Sequence, residues 1–431
     1  MYHIARVSID GFWETHNIEL DLFPEVTFLI GPNGTGKTTL INLLAAALTA
    51  DFRTLDRMPF KRITIHLSSL EANDQPRIIV QKTKRNDRPF ELIEYRLRSG
   101  QSGAAEMRYS LEDIEEQYLM RRFASDSRSM YDHYRRMSSG LTASLQKLVH
   151  VNWLSVHRTP TIDRQREDRS YESSVDQRIE AISNDLVRYF ATMSREKDDE
   201  VRKFQESIFV SLLEKESELD LFDTNRLEYL GEYRDTLANI FRELHVETKQ
   251  VQRLITDFIE RATLISDDRD EDGSLPPLSL EDAIVLMQLR RISDVVERWH
   301  KLQNRLSEIF KPRDNWNKIT NSLIQRKEME LTASNEIQFV SRSGKVLTLQ
   351  TLSSGEKQLL ILLSETLLQR GRPAIFIADE PELSLHVLWQ EKLVGSLRAL
   401  NPSAQIIAAT HSPDIVGTLG KYAIDMETLI P

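Results

Sequence analysis

Residues Phe28 to Leu44 read FLIGPNGTGKTTLINLL, and the segment Gly31 to Thr38 fits the pattern G-x-x-x-x-G-K-[ST] without a mismatch. Val26 to Ile30 is apolar and β-rich, whereas Thr39 to Leu48 has helical composition, so the order is strand, glycine loop, helix. Glycines let the backbone curl so that consecutive N–H groups and the positive end of the next helix converge on an anion. The phosphate-contacting set read from this loop is Asn33, Gly34, Thr35, Gly36, Lys37, Thr38 and Thr39. Lys37 is expected to reach the outer phosphates of a nucleotide and Thr38 to offer its hydroxyl to Mg²⁺.

The chain has 431 residues, more than one typical core, so two or three structural units are expected. With 40% hydrophobic and 28% charged residues it has the composition of a soluble globular protein. The absence of cysteine excludes disulfides, cysteine–zinc sites and thiol catalysis. The N-terminus MYHIARVSID has no apolar signal core, and Leu40 to Leu48 is too short to span a bilayer, so the expectation is cytoplasmic, with no membrane. Lys plus Arg total 56 against 66 Asp plus Glu, a net charge of −10. Nucleic-acid binding, if present, must therefore be local.

In chain order, Tyr2–Ile9 and Ile18–Leu22 read as strands joined by the turn-like GFWETHN, and Val26–Ile30 feeds the loop. Arg62–Leu67, Arg77–Lys82 and Phe90–Arg98 read as antiparallel strands separated by polar turns such as Glu71-Ala72-Asn73-Asp74, giving a mixed sheet with a β appendage. From Ser99 to Lys147 the pattern is irregular and includes Arg121, Arg122, Arg135 and Arg136, either a solvated helical face or a docking patch for an acidic partner or nucleic acid. His150–Val156 reads as a buried strand closed by Pro160.

Ser173 to about Phe310 is rich in Glu, Lys, Arg and Leu. Ile179, Ile182, Leu186, Tyr189 and Met193 fall on one helical face, and a second run covers Asn225–Leu264. Asp267 to Asp272, then Gly273 and Pro276-Pro277, read as a flexible connector. Ile292, Val295, Trp299, Leu302, Leu306 and Ile309 form a heptad seam too brief for a sustained coiled coil, so a compact helical insertion or short hairpin arm is expected. β character returns after Lys311-Pro312, in Met329–Thr332, Glu336–Ser341 and Val346–Leu349. The expected division is 1–159, N-terminal lobe of one core; 160–312, helical insertion; and 313–431, C-terminal lobe.

Leu352-Ser353-Ser354-Gly355-Glu356-Lys357-Gln358 opens an apolar helix, with Ser353 and Glu356 spaced as a capping box and Gly355 allowing close approach to the exposed N–H groups. A helix start of this kind is common and alone is weak. Ile375–Ala378 is an apolar strand delivering Asp379 and Glu380 at its C-terminal edge, where ligands sit in open α/β sheets. Asp379 is expected at Mg²⁺ and Glu380 at the attacking water. Gln405–Ala409, another apolar strand, ends at Thr410-His411-Ser412-Pro413; His411 is expected to bond the γ-phosphate or position water rather than serve the core.

The loop at Gly31–Thr38, LSSGEKQ, the strand ending in DEPE, LSLH and then ATHS resemble the ordered motif set of ATP-binding-cassette ATPases. The version resembles the SMC, RecF and OLD-nuclease branch over roughly residues 1–98 and 327–415. The fold class implied is α/β, an ABC-type P-loop core with a mixed β-sheet and an N-terminal antiparallel β portion, interrupted by a helical insertion. The resemblance also implies ATP and Mg²⁺ as cofactors, ATP hydrolysis at a slow rate, and Ser354, Gly355 and Glu356 serving a nucleotide of the opposite protomer. Two chains would then sandwich two ATPs in a homo-oligomer, a dimer or a hexamer of such pairs, with Ser384 to His386 at the seam. One departure stands out: where the branch carries a glutamine after its next strand, this chain has His157-Arg158, with Gln165 further on.

OLD-type proteins carry a C-terminal TOPRIM nuclease domain, for which the 20 residues after His411 leave no room, and SMC-type arms are several times longer than residues 173–310. The chain is therefore similar to the ATPase subunits of two-gene antiphage systems, the AriA family of PARIS first and the PtuA family of Septu second. Those resemblances imply a separate effector, a TOPRIM nuclease, and a phage trigger protein as partners. Three functions stay open at this point: an ATP-gated sensor scaffold that holds and releases an effector, a RecF-like DNA-repair clamp, and a slowly hydrolysing interaction scaffold.

Overall fold

The structure, a computed structural model, describes residues 2–69, 74–84, 91–98, 100, 106–110, 140–155, 174–211, 213, 224–243, 246, 248–268 and 279–430. The expectations placed on residues 71–73, Arg121, Arg122, Arg135, Arg136, His157, Arg158, Pro160, Gln165, Gly273 and Pro276-Pro277 lie outside the described residues. Two compact units form: residues 1–187 with 313–431, and residues 188–312.

In the first unit, β1 (His3–Phe12), β2 (His16–Asp21) and β3 (Val26–Ile30) precede helices α1 (Lys37–Thr49) and α2 (Phe52–Arg57). The strands β4 (Arg62–Ser68), β5 (Arg77–Lys84), β6 (Glu91–Arg98), β7 (Met107–Ser110) and β8 (Val151–Ser155) follow. Strand β1 continues three residues beyond the expected Ile9, because Phe12 is wholly buried. The turn shrinks to Trp13, Glu14 and Thr15, the first two at positive φ, and the register shifts between Asp10 and Phe12. Gly11, at φ +71°, absorbs that bulge.

The six strands β2-β1-β4-β5-β6-β7 pair antiparallel. Strand β3 belongs to a separate, all-parallel sheet, so the parallel and antiparallel ladders of this α/β fold fall in different layers. Helix α1 lies between them: Leu40, Ile41, Leu43, Leu44 and Ala45 to Leu48 are all buried, in one core with Ile63, Ile78 and Ile93 of the antiparallel sheet and Ile375, Ile377 and Ile407 of the parallel one. A helix apolar all round belongs in such a place. Tyr95 donates from its hydroxyl to the Ala47 carbonyl at 3.1 Å, and complete burial pushes its phenol far above the usual range. Gln405 ties the layers by side-chain bonds of 2.8 Å to both backbone groups of Ile4.

The second unit draws on α3 (Ser174–Ser211), α4 (Leu230–Glu243), α5 (Lys249–Asp267) and α6 (Leu280–Leu323). Phe204, Leu237, Ile240, Ile255, Trp299 and Leu302 form one core there, so the heptad positions 299 and 302 are buried as their spacing predicts. Helix α6 has 44 residues, about 66 Å at 1.5 Å per residue.

Helix α6 runs through Pro312 to Leu323, and the β character expected after Lys311-Pro312 returns at Lys327. A proline inside a helix costs about 3 kcal/mol. Beyond it, in the first unit, Trp316 and Thr320 are 0% exposed and Leu323 is 2% exposed, at helical spacing. Burying one large apolar side chain returns roughly 1.5–3 kcal/mol, so two such residues outweigh the break.

The first unit closes with β9 (Lys327–Leu331), β10 (Ile337–Ser341), β11 (Val346–Leu347), α7 (Ser354–Leu368), β12 (Ala374–Asp379), α8 (Val387–Leu400), β13 (Ala404–Ala409), α9 (Pro413–Val416) and β14 (Ala423–Asp425). Strands β11-β10-β9 form a small antiparallel sheet, and β14-β3-β13-β12-β8 form the parallel one. The loop at Gly31, the Asp379-Glu380 pair and Thr410-His411 thus all follow the carboxyl ends of neighbouring parallel strands.

Candidate functional site

The loop between β3 and α1 is held open by Gly31, Gly34 and Gly36 at φ +136°, +88° and +83°. Only glycine takes such angles without strain. A Cβ built on Gly36 would stand 3.0 Å from the rings of Phe12 and Trp13, whereas one on Gly34 meets nothing within 4 Å. The loop is therefore backed by the β1–β2 turn and open on its other side. Gly36 caps α1 without a side-chain bond, which leaves the helix's first N–H groups available to an anion.

Lys37 is only 5% exposed, and its Nζ donates to the carbonyls of Gly31 at 2.7 Å and Pro32 at 2.8 Å. Burial pushes its ammonium below the usual lysine range, while Glu380, Asp379 and Asp425 pull it back up. The hydroxyl of Thr38 donates to Asp379 Oδ1 at 3.1 Å. Asn33 and Gly34 are exposed on the open side.

Glu380 adopts φ +48°, and its N–H donates to the Ala409 carbonyl at 2.9 Å, which locks the end of β12 to β13. His411 Nε2 lies 4.0 Å from Glu380 Oε1, with both side chains about one third exposed. Lys37, Thr38, Asp379, Glu380 and His411 thus converge on one edge of the parallel sheet. Among the described residues no group of three or more His, Asp or Glu could by itself hold a metal ion. Thr38 and Asp379 fit a Mg²⁺ that takes its remaining ligands from water and phosphate oxygens, the usual habit of that ion.

At α7 the capping box is complete: Ser353 Oγ accepts from the Glu356 N–H at 3.3 Å, and the Glu356 carboxylate accepts from the Ser353 N–H at 2.8 Å. The same carboxylate takes Lys327 Nζ at 2.7 Å, so Glu356 serves the helix start with its side chain, and attraction to that ammonium helps hold its pKa below the usual range against burial. Ser354 is exposed, and among the described residues no hydrogen bond joins Ser354 or Gly355 to residues 31–39. A Cβ on Gly355 would fall 2.3 Å from the Ser384 carbonyl. The close approach that Gly355 permits is therefore made by this chain's own 381–386 turn. Gly355→Ala is expected to lower unfolding stability by about 1–3 kcal/mol in denaturant titration. Alanine's helix-propensity advantage of about 1 kcal/mol offsets only part of this. An unchanged midpoint would remove Ser384 as the reason for glycine here.

Sequence reasoning missed Glu382. Its Oε1 accepts from Thr410 Oγ1 at 2.7 Å, the His411 N–H at 2.9 Å and the Ser412 N–H at 3.3 Å. The signal was present as the final residue of DEPE, but its partners lie in the turn that follows another strand, β13. Lys357 Nζ to Asp176 Oδ1, 2.6 Å, and Arg178 to Glu365 further hold α7 to the start of α3. Burial raises the Glu365 carboxyl above its usual range, with Arg178 opposing.

Residues 1–416 match the AAA ATPase domain family. The chain belongs to that family. The part of the chain that the match covers is thus an ATPase domain by family. The chain is 23% identical to the Retron Vc95 probable ATPase of Vibrio cholerae serotype O1 biovar El Tor over 180 residues, 35% of each chain. The match thus spans about a third of that relative's length. Two archaeal structures overlap at 12% identity: the Smc head domain with an extended coiled coil, bound to the C-terminal domain of ScpA, from Pyrococcus furiosus (96% of this chain, 91% of that one, TM-score 0.40), and the Smc head with a coiled coil and joint from Pyrococcus yayanosii (96%, 93%, TM-score 0.36). Scores of that size carry no argument, and the fold of this ATPase rests on its strand pairing and its family. Among the described residues no helix is long and apolar enough to cross a membrane.

Proposed function

We propose that this ATPase is of the SMC-like ABC type and works as an ATP-gated scaffold that holds a separate effector and releases it on sensing a foreign protein. Residues 160–312 would be the helical insertion through which partners act, and hydrolysis would be slow. The observation that carries the reading is a divided site: Lys37, Thr38, Asp379, Glu380 and His411 gather in one chain, while the capped α7 start exposes Ser354 without a bond to its own loop. An anion arriving from a second copy suits that helix start, which makes nucleotide occupancy an assembly signal.

Within the site, Lys37 and the loop N–H groups bind and orient phosphates, and Asp379 with Thr38 holds Mg²⁺. That ion, when bound, neutralises charge developing on the transferred phosphoryl group. Glu380 orients water and takes its proton; His411 lies beside it to hold the γ-phosphate oxygen.

Similarity to the probable ATPase of a retron supports a role beside other components; a TOPRIM or HNH-type effector is part of the proposal through the resemblance to the AriA and PtuA families. Two experiments test the proposal. Ser354→Arg should spare ATP binding and abolish hydrolysis, and mixing it with Lys37→Ala should restore part of the activity, because each variant can complete one composite site. No recovery on mixing would sink the sandwich. Co-purification with the neighbouring gene product supports the scaffold, whereas a salt-sensitive, ATP-dependent shift of DNA without any such partner would favour a RecF-like clamp.

A further inference from the structure

Glu382 carries a second task at the same edge. Three donors from consecutive residues, Thr410 Oγ1, the His411 N–H and the Ser412 N–H, converge on its Oε1 at 2.7, 2.9 and 3.3 Å. The turn is held from the other side by Gln390, whose Oε1 accepts from Ser412 Oγ at 2.7 Å and whose Nε2 donates to the Leu385 carbonyl at 2.9 Å. Ser412 Oγ in turn accepts from the N–H of Asp414 at 3.2 Å, capping α9. The backbone that bears His411 is thus pinned to the segment that bears Glu380 and Ser384 by Glu382 of that segment and by Gln390 of the following helix α8.

A carboxylate is the right group for this. One oxygen has to accept from a hydroxyl and two backbone N–H groups at once, and charge-assisted bonds of this kind are roughly twice as strong as neutral ones. Oε2 is buried without a hydrogen-bond partner. Leaving a carboxylate oxygen so placed costs free energy, which a merely structural cap would avoid with a neutral side chain such as asparagine or serine.

We infer that Glu382 is a positioning residue for ATP hydrolysis: it fixes the 410–412 turn so that the His411 imidazole stays beside Glu380 at the attacking water. The inference rests on the roles proposed above for Glu380 and His411. It also gives a reason why the 381–386 turn, which packs its Ser384 carbonyl against Gly355 at the start of α7, should matter to chemistry. A change of that turn moves Glu382 and, through it, His411.

The test is a double-mutant cycle in steady-state ATP hydrolysis by the full chain. Displacing a reacting group by 1 Å can cost on the order of 100-fold, so Glu382→Ala is expected to lower kcat about 10- to 100-fold with the KM for ATP within about threefold. Glu382→Gln keeps an acceptor oxygen at the turn but loses the charge, so its rate should lie between those of wild type and the alanine variant. In a His411→Ala background Glu382→Ala should cost nothing further, because its effect passes through the imidazole. Additive losses, or a fall in kcat matched by a rise in KM, would overturn the inference. If Glu382→Ala does not fold, Glu382→Gln completes the cycle with His411→Ala, and equal additional losses in both backgrounds overturn it equally. The His411 Nε2 to Glu380 Oε1 separation in a crystal structure of the alanine variant needs no turnover: an increase beyond 4.0 Å supports positioning, and an unchanged distance refutes it. A wild-type protein that hydrolyses no ATP would sink the roles of Glu380 and His411 but leave that distance to decide the part of Glu382.

Discussion

Glu380→Gln is expected to lower kcat for ATP hydrolysis by about 10²- to 10⁴-fold, the range a positioned general base supplies, while ATP still binds with near wild-type affinity. The substitution removes the proton acceptor but keeps size and hydrogen-bonding capacity. The groups that grip phosphate and metal, namely the loop N–H groups, Lys37, Thr38 and Asp379, do not depend on the Glu380 carboxylate for their contacts: Lys37 is held by Gly31 and Pro32, and Thr38 by Asp379. The backbone at Glu380 is set by its bond to Ala409 at 2.9 Å, which glutamine retains. With hydrolysis blocked and binding intact, the ATP-bound assembly should accumulate, visible as an ATP-dependent increase in mass by light scattering that persists for hours. Wild-type turnover in this variant would remove Glu380 from the chemistry. Slow turnover without an ATP-dependent change in mass would keep the base and discard the assembly signal.

What could be read in the chain before its structure follows the range over which each signal acts. The phosphate loop was legible because covalent spacing alone sets its geometry, with glycines at the positions where φ turns positive. The strand AIFIAD was legible because it is buried on both faces, so its apolar run needs no partner to be recognised. Which ladder each strand joins was not, since β1 and β3 alternate or run apolar in ways that fit either sheet. That helix α6 runs through Pro312 was not legible for a related reason: helix propensity is local, whereas the burial of Trp316 that overrides it depends on packing by residues distant in sequence. Gly355 read as an opening for a ligand, yet the group that fills its missing Cβ is the Ser384 carbonyl, nearly thirty residues on. Glu382 was in view within DEPE and silent, because nothing in a strand-end tetrapeptide says that Thr410, His411 and Ser412 will fold back upon it. Residue type announces chemistry at this site; only tertiary contact announces who orients whom.

Lys37→Ala should weaken nucleotide binding on the order of 100-fold while leaving the unliganded protein folded. The two halves of that expectation have different physical causes. Without nucleotide, the ammonium is desolvated at 5% exposure and bonded to two backbone carbonyls, and burial already disfavours its charge. Removing a buried cation of this kind relieves a desolvation cost that two neutral acceptors offset only in part. The melting temperature of the variant alone should therefore lie within a few degrees of wild type. With nucleotide, the same ammonium exchanges carbonyls for phosphate oxygens, and charged hydrogen bonds contribute about 1.5–3 kcal/mol each. Losing them weakens ATP binding by on the order of 100-fold. Ligand linkage makes this visible without activity: at 100 times Kd a ligand stabilises wild type by about 2.7 kcal/mol, a shift that should shrink to about 0.4 kcal/mol in the variant at the same ATP concentration. Lys37→Arg retains the charge but not the compact ammonium that fits between Gly31 and Pro32, so it should recover little of the shift. A full ATP-dependent shift in Lys37→Ala would mean that the loop N–H groups alone hold the phosphates. The buried lysine would then have to be explained by hydrolysis or by contact with a second copy.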